Sequence, residues 1–218
     1  QIFSSTGGNG QSPVLSAQTS FYWTAELAAN TTHAFLVRAL SCGQPVDSGS
    51  YALSTLAKQP AALAQAFLGV FESSATVAWA ARPSLPQEDS SEGYRVEAST
   101  ASDFTGTILS SATAAVLEST LTVTGLLPNT TYYFRAASLN WASALSPFTS
   151  LGSTSTLAVP VAQTQFAGVF GTSITVNWAS LPASPPDASS KTAEGYLLQL
   201  SKSADFSAPV SSFTPNVA

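Results

Sequence analysis

His33 is the single imidazole among 218 residues, so any serine relay would have to be built around it. A nucleophilic serine needs that base within hydrogen-bond reach, and no GxSxG elbow accompanies it. Paired carboxylates for glycoside hydrolysis would come from Glu88, Asp89 and Glu92, but these crowd one Ser- and Pro-rich stretch instead of flanking a cleft. A solvated loop is the plainer reading. Gly7, Gly8 and Gly10 precede no helical pattern that could cradle a phosphate, and no loop alternates aspartates for calcium. Cys42 cannot close an internal disulfide, and no electropositive neighbourhood marks it as reactive, which leaves a small loop residue or an intermolecular bridge. The expectation is a chain without catalysis, metal or cofactor.

Composition narrows the class further. Hydrophobic residues at 44% suffice for packed cores, whereas charged residues at 9% fall well below the roughly 25% of ordinary soluble domains. Ser and Thr, 59 of 218 residues, must therefore supply the wet surface. A net charge of −5 with only three lysines, Lys58, Lys191 and Lys202, gives no footprint for nucleic acid or an anionic membrane. No stretch approaches the ~18 apolar residues of a membrane span. An acidic, hydroxyl-rich, Lys-poor chain points to a secreted or cell-surface protein. Methionine is absent altogether, so Gln1 is expected to follow processing, or the chain is a window on a longer one.

The chain repeats itself. GVFESSATVAW, ending at Trp79, returns as GVFGTSITVNW ending at Trp178, 99 residues on. EGYRVEAS from Glu92 returns as EGYLLQLS from Glu194, and the SDF ending at Phe104 returns as the ADF ending at Phe206, both 102 residues on. The three extra residues fall in the Pro- and Ser-rich loop before Gly195, where a surface connection tolerates them. LLPNTTYYFRAASLN, ending at Asn140, has its counterpart 99 residues earlier in LAANTTHAFLVRALS. Residues 1–57 thus read as the closing half of a unit, 58–158 as a complete unit and 159–218 as an opening half.

Within each unit apolar positions alternate. Ala75, Val77 and Trp79, then Tyr94 and Val96, Leu121 and Val123, and Tyr132, Phe134 and Ala136 follow the period of two of a half-buried strand. Ile174, Val176 and Trp178 do the same. No window holds helical spacing for the ~12 residues that would be persuasive. Short strands with turn signals in a unit of about 100 residues predict an all-β, antiparallel sandwich.

At this point the residues resemble the fibronectin type III family: Trp79, the Gly93-Tyr94-x-Val96 strand, Leu126-x-Pro128-x-Thr130-x-Tyr132-x-Phe134, and Asn140. The resemblance implies tandem seven-stranded, immunoglobulin-like sandwiches with Trp79, Trp178, Tyr94, Tyr196 and Leu126 defining the fold. It also implies a corner tyrosine at Tyr132 whose hydroxyl bonds nearby backbone. His33 stands where Tyr132 does, and Ala29 where Pro128 does, so the imidazole is expected to replace the corner hydroxyl. The connection carrying Trp141 is one through which family members often bind partners. Trp141, with Tyr133, is the candidate contact for a surface glycan or protein, although packing against the neighbouring unit is the plainer role. Asn30 and Asn129 head Asn-Thr-Thr sequons, candidates for glycosylation or for turn chemistry.

Two partial units each expose an open edge and an uncovered apolar face. They are completed either by flanking repeats of a longer array or by the complementary half of another copy, head to tail. Ile2-Phe3-Ser4-Ser5 and Pro209-Val210-Ser211-Ser212 are alike, which places both cuts near one strand. The expected function is an extracellular stalk, adhesin or filament subunit that associates with itself. The alternative is a carbohydrate- or protein-binding accessory module of a secreted enzyme.

Overall fold

A computed structural model describes residues 2–4, 20, 27–40, 44–181 and 192–215; Gly7, Gly8, Gly10, Cys42 and Lys191 lie outside them. The described residues form antiparallel β-strands, with one short 3-10 turn at Gln87–Asp89. The first sheet contains β1 (Ile2–Ser4), β2 (Thr32–Ala39), β3 (Val46–Asp47) and β4 (Tyr51–Ser54). There β3 and β4 pair with opposite ends of β2, and β1 lies along its other edge.

Seven strands follow: β5 (Ala61–Val70), β6 (Ser74–Ala80), β7 (Gly93–Ser99), β8 (Ile108–Thr113), β9 (Thr120–Thr124), β10 (Thr131–Leu139) and β11 (Thr149–Ser155). They make two sheets, β5-β6-β9 and β11-β10-β7-β8. Between them a core forms from Val77, Trp79, Tyr94, Val96, Val123, Leu126, Tyr132, Phe134 and Leu151, all nearly or fully buried. The alternation of these residues puts them on the inner faces, because successive side chains of a strand point to opposite sides. Trp79 is 1% exposed and tilts against Tyr94 with ring centroids 5.2 Å apart. The Tyr132 hydroxyl accepts the Leu127 amide at 3.0 Å, closing the corner.

Beyond this sandwich lie β12 (Ala162–Val169), β13 (Ile174–Ala179), β14 (Gly195–Leu200) and β15 (Val210–Pro215), in two two-stranded sheets, β12-β13 and β14-β15. They copy β5–β8 down to irregularities: the bulge between Phe67 and Gly69 recurs between Phe166 and Gly168. Gly93 and Gly195 explain the glycine of the EGY motif. A Cβ at either would collide with a facing carbonyl oxygen, of Thr113 or of Thr214, and Gly93 also has φ of 146°.

One sequence expectation changes here. Ile2–Ser4 resembles the start of β15 in sequence, yet it pairs with β2, opposing Val37, Leu36 and Phe35. Those are the counterparts of Ala136, Arg135 and Phe134, which β7 opposes in the complete sandwich. An unpaired strand edge is costly, and the short segment fills it in the register of β7.

Candidate functional site

The turn before β2 and the turn before β10 are built alike. Asn30 and Asn129 adopt left-handed backbone, φ of 48° and 46°, a conformation asparagine tolerates. The following threonine hydroxyl donates back across the turn, Thr31 to the Ala29 carbonyl and Thr130 to the Pro128 carbonyl, each at 2.8 Å. A second threonine locks the turn from the closing strand: the Thr55 and Thr156 hydroxyls accept the Thr31 and Thr130 amides at 3.1 and 3.0 Å. The Asn30 and Asn129 amides reach the Leu56 and Leu157 carbonyls, each at 3.0 Å. The threonines thus satisfy the local backbone, and the asparagine side chains are left to reach outward.

Both asparagines reach the next unit. Asn30 Nδ2 donates to Glu92 Oε1 at 3.1 Å, and Gln87 Nε2 donates both to Glu92 Oε1 at 2.9 Å and to the Asn30 carbonyl at 3.2 Å. Asn129 Nδ2 donates to the Thr192 hydroxyl at 2.6 Å and faces Glu194 Oε1 at 3.5 Å. Glu92 and Glu194 are the same position of the repeated EGY motif. Asn30, Ser90 and Ser91 are buried at the first joint, Thr192 and Ala193 at the second. The sequons are therefore occupied: Asn30 has no exposed surface, and the nitrogen a glycan would take already donates to Glu92. Of the two roles the sequence left open, glycosylation and turn chemistry, the geometry at Asn30 is that of turn chemistry, and Asn129 spends its amide nitrogen in the same way.

The first joint carries further ties. Asn140 Nδ2 donates to the Ser54 and Thr55 carbonyls at 3.1 and 3.0 Å, while its Oδ1 accepts the Ala142 and Ala144 amides. One buried side chain so shapes its own loop and clasps the closing strand of the preceding unit. Within the complete unit, Asp89 meets Lys58 at 2.5 Å and Arg82 at 3.4 Å. The Lys58 hydrogen bond, helped by the charges of Lys58 and Arg82, holds the Asp89 carboxyl below its usual range. The carboxylates expected to sit in a merely solvated loop, Asp89 and Glu92, are structural ties.

Trp141 directly follows Asn140 and remains 58% exposed, so it does not pack down at the joint. Tyr133 is half-buried near the start of β10, while Trp141 lies just past its end, roughly 25 Å away at the rise of a strand. The two candidate contact residues therefore do not form one platform. His33 is buried, and its Nε2 lies 3.3 Å from the Ala28 carbonyl, which can only accept. The imidazole serves the same turn as Tyr132 with the hydrogen bond reversed. Among the described residues no cluster of His, Cys, Asp and Glu has the arrangement of a metal site, and no helix is long and apolar enough to cross a membrane.

Sequence reading missed one constellation on the outer face of the complete sandwich. Arg135 lies between the rings of Phe104 and Phe148, 3.9 Å from each centroid, and forks onto Glu97 Oε2 at 2.9 and 2.7 Å. Arg135 and Glu97 oppose each other directly across β10 and β7. Alternation alone marks both as outward-facing, with no sign that Glu97 is nearly buried under its partner.

The seven strands, the buried tryptophan and the closed corner agree with the profile of the fibronectin type III domain, which matches residues 65–150. Residues 65–150 are a fibronectin type III domain. Such domains are generally extracellular interaction modules. A solved structure of a computer-redesigned β-sandwich protein is similar over 48% of this chain and 95% of its own, at 24% identity and a TM-score of 0.34. No curated protein matches the chain.

Proposed function

We propose that this chain is a non-catalytic, extracellular repeat protein, a stalk or filament subunit, whose fibronectin type III modules are held end to end by the asparagine joint. The observation that supports the reading is that the joint occurs twice, Asn30 to Glu92 and Asn129 to Thr192 and Glu194, on the 99- and 102-residue spacings of the repeat. A binding domain presented singly has no need of a duplicated, partly buried polar contact between neighbours. Such a contact restricts hinge motion, because buried amide and carboxylate groups lose their partners when the modules part. The closing strand set of one copy is suited to complete the opening set of another.

Asn30→Gly with Asn129→Gly keeps the left-handed turns and deletes only the reaching amides. Small-angle scattering of the double variant should show a broader distribution of particle lengths than the parent, and an unchanged distribution would sink the reading. A second role rests on the exposure of Trp141, which suits stacking on a sugar ring or anchoring in a protein pocket. A glycan array probed with the parent and Trp141→Ala tests that role separately.

A further inference from the structure

We infer that β1 is a placeholder on the edge of β2, and that β14 of a second copy displaces it in one defined register, closing a hybrid sandwich. This rests on the reading of the chain as a self-associating repeat subunit. In the complete sandwich β10 takes β7 along this edge over seven residue pairs, Tyr133 to Leu139 against Ser99 to Gly93. In the first sheet the same edge of β2 carries only the three pairs of β1. Three pairs replaced by seven favours the longer strand.

The repeat names the occupant. Shifting β10 back by 99 residues and β7 forward by 102 places Phe35 opposite Leu200, Val37 opposite Leu198 and Ala39 opposite Tyr196. All three pairs correspond to core-facing pairs of the complete sandwich. Leu200 and Val37 are now 59% and 53% exposed, and each would lose that exposure in the hybrid. The same shift replaces the Arg135–Glu97 pair by Leu36 against Gln199, so both members of the ion pair are exchanged for neutral residues and no charge is buried alone. The open gap of about 240 Å³ beside Trp178, Tyr196 and Leu198 is where the β2 side chains would enter. Joints to the complete module stay within each copy, so exchange between copies takes place only inside the hybrid.

The test uses the full chain with Cys42→Ser in every pool. A tagged Val37→Cys pool is mixed with an untagged Leu198→Cys pool, oxidised and resolved by mass, with Leu197→Cys as the control one residue out of register. The heterodimer from Leu198→Cys should exceed that from Leu197→Cys about tenfold, since neighbouring residues face opposite sides. In a second arm Phe3→Pro removes a β1 amide and should move the association midpoint to a several-fold lower concentration. Oligomers by light scattering with equal cross-linking from both cysteines overturn the register but leave self-association standing. A monomer at every concentration, with no heterodimer, overturns both. An unmoved midpoint for Phe3→Pro overturns the placeholder.

Discussion

The complete sandwich and the four strands after it hold the same tryptophan–tyrosine pair in two environments. Trp79 with Tyr94 and Trp178 with Tyr196 have identical geometry, centroids 5.2 Å apart and planes at 51°. Their hydroxyls begin the same way, accepting an amide at 2.5 Å from Arg82 in one and Leu181 in the other. Tyr94 then donates to the Val116 carbonyl across the closed module, whereas Tyr196 turns to the carbonyl of Leu181 itself. Around Trp79 the core is sealed; around Trp178, Phe166 and Val169 are 74% and 71% exposed. The first four strands of a module suffice to set the aromatic pair. Burial, and with it most of the hydrophobic free energy, waits for the strands that close over it.

The largest separation of the two environments should come from the tryptophans. Trp79→Ala removes a fully buried ring and is expected to cost about 3–5 kcal/mol, abolishing or sharply lowering the main urea transition followed by circular dichroism. Trp178→Ala in dilute protein should cost under about 1 kcal/mol, because its ring is only partly taken out of water. Raising the protein concentration sharpens the contrast: if the hybrid sandwich forms, the cost of Trp178→Ala should grow towards that of Trp79→Ala.

A second difference concerns charge. Arg135→Met leaves Glu97, whose side chain is 6% exposed, with only Arg95 at 3.1 Å, and should destabilise the complete module by about 2–3 kcal/mol. Replacing both members, Arg135→Leu with Glu97→Gln, imitates the pair implied for the hybrid and should recover most of that loss in the same denaturation assay. No recovery would mean that the stacking of Arg135 on Phe104 and Phe148 outweighs the ion pair.

Smaller again is the effect at the tyrosine hydroxyls. Tyr94→Phe strands the Arg82 amide and the Val116 carbonyl and should cost about 1–2 kcal/mol, whereas at the open module Tyr196→Phe should cost less, since water can replace the lost partner. Equal costs would indicate that Tyr196 is shielded in solution.

These contrasts show which parts of the molecule were legible in the sequence. Alternation at Ala75, Val77 and Trp79 announced the strands because one face of each is buried, whereas the corner at Tyr132 was legible only through the resemblance to the fibronectin type III family. The role of Asn30 was not legible: an Asn-Thr-Thr turn looks the same whether its amide meets water or the next module. Only the recurrence of Glu-Gly-Tyr beside it, at Glu92 and Glu194, carried a hint. Nor does alternation tell an exposed Arg135 from one stacked between two phenylalanines distant in sequence. The seat of β1 was hidden because it answers a vacancy on β2, a tertiary need rather than a local preference.

The last contrast should vanish, and that makes it informative. Asp103 accepts the Thr105 hydroxyl at 2.8 Å and its amide at 3.2 Å, and 102 residues on Asp205 accepts the Ser207 amide at 3.0 Å. These bonds, led by the Thr105 hydroxyl for Asp103 and by the Ser207 amide for Asp205, hold both carboxyls below their usual range. A lowered folded-state pKa means that each turn contributes its full stability above the ordinary aspartate value of about 3.9, and loses it as pH falls through the folded value. Carboxyl carbon shifts followed by NMR should therefore give midpoints below that value for both residues, although one turn belongs to the closed sandwich and the other to the open one. If only Asp103 titrated low, the turn would depend on closure of the module, and the independence of local geometry from burial seen at Trp79 and Trp178 would not extend to the loops.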